Sequence, residues 1–350
     1  MENYFSYRDK RNTVLLRELR ATLPSFCNDF FVGISTRTSV LTRLGYARDL
    51  NIFFDYLVEQ GVIDSPTAKD ITLRQLDGVT SGDIEAYLEY LSLYTYKGRE
   101  YTNDNKAKLR KLSAVRALFK YLYNKDKLDE NVASKVLSPK IAEHEIIRLE
   151  NKEMADFLAN VESGAALSAG NQQAYHRHTA LRDTAIVSLL LGTGIRVSEC
   201  VGLNIDDVDW DNNKFTVTRK GGNRTVLYLP DDVTEALQNY LAERLAIAAP
   251  TDALFLSLQQ KRINVRTVQV LVKKYASGAV PTKHITPHKL RSTFGTNLYR
   301  ETKDIYIVAE VLGHQDVNTT KRHYAAISED IKQNAAKTVH LKPKEKVSEN

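Results

Sequence analysis

Cysteine is nearly missing from this sequence: Cys27 and Cys200 are the only two in 350 residues. Two thiols cannot build a disulfide framework, and without a CxxC pair no cysteine-based zinc site is expected. Long apolar runs are missing as well. The ~18 consecutive apolar residues that a spanning helix needs occur nowhere, and the N-terminal MENYFSYRDKRN lacks an apolar signal segment. The expectation is a cytoplasmic protein with reduced thiols and no membrane association. Metal-binding patterns are also absent. His284, His288, His314 and His323 have no Asp, Glu or Cys beside them at ligand spacing, and no HExxH occurs. Neither a metal nor another cofactor is expected. No internal repeat or long low-complexity segment is present.

What is present describes a folded protein with a moderate basic excess. The hydrophobic share of 43% is ample for a core, and 350 residues suggest two domains rather than one. The net charge of +6 permits nucleic-acid binding without demonstrating it.

Helical periodicity dominates the first 140 residues. It predicts helices over 10–22, Arg37–Gln60, Ile84–Leu93 (capped by Thr80) and Asn103–Tyr123, with 94–101 as a loop. The last helix has a buried stripe, Leu109, Leu112, Val115, Leu118, Phe119 and Leu122. Its other face is read as carrying Lys106, Lys108, Arg110, Lys111, Arg116 and Lys120. Such a face is ordinarily just solvated; it can also lie against DNA with its cations on phosphates. Residues 141–150 read as a linker, with a second domain over 151–350. There Lys152–Val161, Leu181–Leu191, Asp232–Ala248 and Val265–Ala276 are predicted helices, and Ser163–Tyr175 a polar insertion. The only clear strand signal is Ile205–Trp210, Lys214–Arg219 and Thr225–Leu229, an antiparallel meander split by Asp211-Asn212-Asn213 and Gly221-Gly222-Asn223. The expected fold is mainly α with a small three-stranded antiparallel sheet, in two domains. The N-terminal one is a helical bundle and the C-terminal one is mixed α/β.

The residues able to do chemistry lie mostly near the C-terminus. Thr286-Pro287 is a helix start that sets His288 and Arg291 three apart on its first turn. Gly313 stops the next apolar helix and leaves His314 on the following turn; Tyr324 stands on a further short helix. Imidazoles, a guanidinium and a phenol together suit the handling of a phosphate. Gly194 lets the chain turn sharply into Arg196, with Glu199 three residues on, either as an ordinary surface pair or as a carboxylate fixing the arginine. Lys220 sits at a hairpin tip, where lysine is usually solvated but can also deliver a proton to a leaving oxygen. Ser292 is a second conceivable hydroxyl nucleophile, without a nucleophile elbow. Cys200 reads as a small core residue.

Taken together, TGIRVSE (193–199), RKGGNR (219–224), HKLRSTFGTNL (288–298) and VLGHQDVNTTKRHY (311–324), in this order and spacing, resemble the tyrosine recombinase (phage integrase-like) family. Within it the chain is most similar to the Xer group, above all the branch in which one recombinase works without a partner paralogue. The resemblance implies a core-binding (SAM-like) DNA-binding domain over 1–140 and a catalytic domain over 151–350 with a C-terminal exchange helix near Ile331–Ala336 and a tail. It makes Arg196 and Arg291 the phosphate-gripping arginines, Lys220 the donor to the leaving 5′ oxygen, and His288 and His314 phosphate ligands or proton relays. It makes Tyr324 the nucleophile and Glu199 the supporting carboxylate. Arg224 and the cations of the 103–123 helix become DNA contacts. Ser292 departs from the pattern, since many Xer-like members place histidine there. The implied activity is metal- and ATP-independent breaking and rejoining of double-stranded DNA at a specific site, through a 3′-phosphotyrosyl link, sequential strand exchange and a Holliday junction. A homotetramer on two sites is implied, with an accessory activator left open. Chromosome dimer resolution is the implied role, with mobile-element integration or excision and a type IB topoisomerase-like relaxing activity as alternatives.

Overall fold

The computed structural model describes residues 4–141, 147–167, 170–219 and 222–313. The chain divides into two compact units between residues 144 and 145.

The first unit is a helical bundle: α1 (Tyr4–Arg20), α2 (Cys27–Gly33), α3 (Val40–Glu59), α4 (Leu73–Asp77), α5 (Ser81–Tyr90) and α6 (Asn105–Tyr123), with a hairpin β1 (Tyr94–Tyr96) and β2 (Arg99–Tyr101) before α6. The starts are set locally. The Ser39 hydroxyl accepts from the Thr42 N–H, Thr80 and Asp83 form a capping box, and Asp104 accepts from the Ala107 N–H. Leu50, Phe53, Phe54 and Leu57 on α3, Tyr87 on α5 and Phe119 on α6 are buried together. The Phe53 ring centroid lies 5.1 Å from that of Tyr87 and 6.4 Å from that of Phe119, both edge-on.

Two expectations change here. Residues 94–101 form a hairpin, not a loop, so the meander is not the only sheet. Lys97 and Gly98 both take positive φ, 51° and 73°, as a two-residue turn of matching twist requires, and the Tyr94 and Tyr101 rings stack across the strands. The turn is Lys-Gly rather than Asn-Gly and its strands have three residues each, so the local signal is faint. The second change is on α6, where Lys111 points into the bundle instead of outward. Its ammonium donates to Asn103 Oδ1 at 3.0 Å, a bond that offsets the loss of water around a buried charge.

The second unit contains α7 (Asn151–Ser163), α8 (Asn171–Arg177), α9 (Ala180–Thr193), α10 (Val197–Gly202), β3 (Val208–Asp209), β4 (Lys214–Thr218), β5 (Arg224–Tyr228), α11 (Asp231–Ala246), α12 (Val265–Ala279), α13 (Pro287–Thr302) and α14 (Ile305–Leu312). Its centre is α9, which buries Ala185, Ile186, Val187, Leu189 and Leu190 against α7, α11 and α13. Leu149 is buried too, and its N–H donates to Thr293 Oγ1 at 3.0 Å. The stretch read as a linker therefore already packs on this unit by Leu149. The polar insertion folds in part as α8, which sets the His176 ring against Tyr275.

The sheet is antiparallel in the order β3-β4-β5, with Phe215 opposite Leu227 and Val208. Its first strand is shorter than the apolar run suggested. Ile205–Asp207 is a 3₁₀ turn capped by Asn204 and Asp207, so only Val208–Asp209 pair.

A buried polar network ties α9 to α12. Asp183 accepts from Arg182 Nη2 at 2.7 Å, Thr179 Oγ1 at 3.0 Å and the Tyr275 hydroxyl at 2.9 Å. Arg182 Nη1 reaches the Leu256 carbonyl at 2.9 Å. Burial and the nearby Asp183 carboxylate push the Tyr275 phenol above its ordinary range.

Among the described residues, no helix is long and apolar enough to cross a membrane.

Candidate active site

The end of α9 sets up the site. Gly194 follows it in the left-handed region, φ 61°. A Cβ there would stand 2.3 Å from the Phe294 ring and 2.9 Å from Leu312, so dihedral and space both demand glycine. Gly194→Ala should destabilise the protein by about 1–3 kcal/mol, read as a lower denaturation midpoint; an unshifted midpoint would contradict this.

Two residues later Arg196 is the N-cap of α10. Its backbone N–H donates to Glu199 Oε2 at 2.9 Å and its Nη1 to Glu199 Oε1 at 2.8 Å. One buried carboxylate thus caps the helix and fixes the guanidinium plane. Arg196 Nη2 donates onward to the Gly313 carbonyl at 3.1 Å.

Arg291 arrives from α13, whose start matches the expectation: Thr286 caps and Pro287 holds the first position. Its Nη1 donates to the Gly194 carbonyl at 2.6 Å and its Nη2 to the Leu312 carbonyl. The two arginines, 95 positions apart in number, therefore meet at consecutive carbonyls where α14 ends. Those carbonyls lack helical partners and carry the negative end of the helix dipole, which suits guanidinium donors. These two bonds use two of the five N–H groups of Arg291.

A third guanidinium, absent from the sequence-based set, joins them. Arg219, at the end of β4, donates from Nη1 to the Leu312 carbonyl and from Nη2 to the Val311 carbonyl, both at 2.8 Å. Its Nη1 lies 3.7 Å from Glu199 Oε2. Burial lowers its pKa, Glu199 opposes that, and Arg196 adds to it. Arg196 and Arg219 thus share one carboxylate while Arg291 donates to backbone carbonyls, and the surplus positive charge favours an incoming anion. The only sequence signal for Arg219 is its place beside Lys220; its burial depends on α14, distant in the chain.

His288, on the first turn of α13, is exposed while Arg291 is buried, so equal spacing does not give equal environment. The Ser292 hydroxyl donates to the His288 carbonyl at 3.1 Å, a bond within the helix. Cys200 is fully buried, and burial raises its pKa. Lys220, His314, His323, Tyr324 and Ile331–Ala336 lie outside the described residues.

The basic face of α6 is partly used by the bundle itself. Arg116 donates to the Ala133 and Val136 carbonyls and to Ser138 Oγ. Arg110 pairs with buried Asp49, and Lys108 donates to Ser92 Oγ at 2.7 Å. Lys106 and Lys120 are exposed. Arg224, on β5, is exposed and reaches Asp207 Oδ1 at 3.1 Å.

The phage integrase family matches residues 148–330. Tyrosine recombinase XerS of Streptococcus uberis is 31% identical over 91% of this chain and 96% of its own length. Tyrosine recombinase XerC of Caldanaerobacter subterraneus is 33% identical over 85% of this chain and 81% of its own. In fold, XerH bound to its palindromic difH substrate superposes with a TM-score of 0.62 at 19% identity, covering 86% of this chain and 80% of XerH. The two-unit, mainly helical architecture is thus that of known recombinases, and the chain belongs to the phage integrase family of tyrosine recombinases.

Proposed function

We propose that this chain is a Xer-type site-specific recombinase that cuts and rejoins double-stranded DNA through a 3′-phosphotyrosyl link on Tyr324. The observation that carries this reading is the meeting of Arg196 and Arg291 at the Gly313 and Leu312 carbonyls, immediately before the segment bearing His314 and Tyr324. Attack by the phenolic oxygen forms a phosphorus–oxygen bond to Tyr324 and breaks the bond to the 5′ oxygen. The pentacoordinate transition state gains negative charge on its non-bridging oxygens. Arg196 and Arg291 stabilise that charge with charge-assisted hydrogen bonds, the contribution a metal makes in other phosphoryl transfers. Glu199 holds Arg196 in plane, Lys220 gives the leaving 5′ oxygen its proton, and His288 and His314 bind the phosphate or relay protons. One phosphodiester becomes another, so no ATP is consumed. The 5′ hydroxyl of a second duplex reverses the step and completes exchange.

Residues 1–140, within the first unit and with the exposed α6 cations Lys106 and Lys120, are the proposed DNA-gripping domain. Two duplexes cut in turn, through a Holliday junction, call for four protomers. Lambda integrase has been solved as a tetramer bound to such a junction. Relatives named XerS and XerC along most of the chain favour chromosome dimer resolution in the cytoplasm over mobile-element integration.

The proposal is tested with a DNA site nicked beside the cleavage point, so that religation fails. In EDTA the wild-type protein should accumulate a covalent adduct whose modified peptide contains Tyr324. Loss of the adduct on chelation, or linkage to another residue, refutes the mechanism. Deleting residues 328–350 should impair assembly on two sites more than binding to one; equal losses would reject the proposed exchange role of the tail.

A further inference from the structure

We propose that Arg219 is a positioning residue for the phosphate-gripping pair: its guanidinium, held between Glu199 and the end of α14, sets where Arg196 and Arg291 point. The inference rests on reading those two arginines as phosphate ligands.

Arg219 touches both supports on which that pair depends. The Leu312 carbonyl accepts from Arg219 and from Arg291. Glu199 Oε2 takes the Arg196 backbone N–H and faces Arg219 Nη1 at 3.7 Å. Moving Arg219 therefore moves an acceptor of Arg291 and alters the charge balance of the carboxylate that orients Arg196. The root of the side chain is itself fixed, since the Arg219 N–H donates to the Asn223 carbonyl at 2.7 Å and the Arg219 carbonyl accepts from Gly222 at 3.1 Å. The far side is closed by Gly313, at φ 61°, where a Cβ would stand 2.6 Å from Arg219 Nη1. The end of α14 is thus seated on this guanidinium with no room for a side chain.

Arg219 and Arg291 are both buried, and each donates to carbonyls through both terminal nitrogens; what sets Arg219 apart is its approach to Glu199, the carboxylate that holds Arg196. The Arg219 Nε is buried without a hydrogen-bond partner among the described residues, an arrangement unfavourable for stability alone. A hydrophobic residue would pin β4 to α14 without burying a charge. A planar cation that reaches both the carboxylate of Arg196 and the carbonyl of Arg291 explains why arginine stands there.

The test separates positioning from a general structural role by changing the charge on the scissile phosphate. Arg219→Gln and Arg219→Lys, as full-length proteins, are compared with wild type on the nicked site carrying either the natural phosphodiester or a methylphosphonate at the scissile position. The methylphosphonate has no negative charge for the arginines to meet. On the phosphodiester, adduct formation should slow by roughly 10- to 100-fold, the scale of a displacement of about 1 Å at the reacting centre. On the methylphosphonate that deficit should shrink at least about tenfold, because the grip on the anionic oxygens no longer decides the rate. An equal deficit on both substrates, or none on the phosphodiester, overturns the proposal. Should Arg219→Gln fail to fold, Arg219→Lys keeps the charge but loses the planar fork and decides the matter alone. Arg291→Ala is the control for the underlying reading. Its deficit should also shrink on the methylphosphonate; if it does not, the assignment of Arg291 fails first. If Arg291→Ala is relieved and the Arg219 variants are not, only the positioning role falls.

Discussion

Tyr324→Phe protein should form no detectable covalent adduct on a nicked site while binding that site as well as wild type does. The substitution removes one oxygen and keeps the ring, so packing and charge change little while the nucleophile disappears. The effect should be the largest of any single substitution here, because every other group acts on a bond that can no longer form. The arginines, by contrast, contribute transition-state stabilisation; a lost donor of that kind lowers rates by about 10²–10³-fold. Ser292 is the competing hydroxyl, standing next to Arg291. Its Oγ donates to the His288 carbonyl at 3.1 Å, a bond within α13, so Ser292→Ala should still yield adduct. An adduct that survives in Tyr324→Phe and is lost in Ser292→Ala would reverse the assignment.

Asp183→Ala should lower the stability of the second unit by about 3–5 kcal/mol, the penalty for breaking a buried ion pair by removing one partner. The carboxylate is 1% exposed and accepts from Arg182, Thr179 and Tyr275. Alanine would leave the Arg182 guanidinium buried against a single carbonyl, that of Leu256, and the Tyr275 hydroxyl without its acceptor. Such a loss is a large part of the ~5–15 kcal/mol that holds a typical domain together. Trp210 is the only tryptophan in the chain and lies in the second unit, so selective tryptophan fluorescence during urea unfolding reports on this unit. The midpoint should fall sharply in Asp183→Ala and less in Asp183→Asn, which keeps the shape and one acceptor. Identical midpoints in wild type and Asp183→Ala would show that the network carries little stability. Because α9 leads directly into Gly194 and Arg196, DNA cleavage should fall together with the midpoint.

Much of the site is legible in local chemistry. Thr286-Pro287 announces the start of α13, and the glycines at 194 and 313 announce helix ends; in the structure both glycines take positive φ. The Arg196–Glu199 pair follows from three-residue spacing at a helix entrance and is present as such. The meander is anticipated by its turn residues, although Ile205–Asp207 turn instead of extending. Where the reading fails, the deciding partner is distant. Lys111 looks like its neighbours Arg110 and Lys108 on α6, and the folded bundle draws it inward, with Asn103 accepting from it and the Asp49 carboxylate of α3 nearby. Arg116 likewise donates to the Ala133 and Val136 carbonyls and to Ser138 Oγ, partners that spacing along α6 does not show.

By itself the sequence determined the helical periodicity, the caps and breaks, and the residue types offered to a phosphate, because those depend on neighbours within a few positions. Only the tertiary structure decided that Arg196, Arg219 and Arg291 converge on the carbonyls at the end of α14, with Glu199 beside the first two. The reason is physical. A guanidinium finds its acceptors by reach through space, and backbone carbonyls, identical in every residue, leave no mark in the sequence to show which of them it will find.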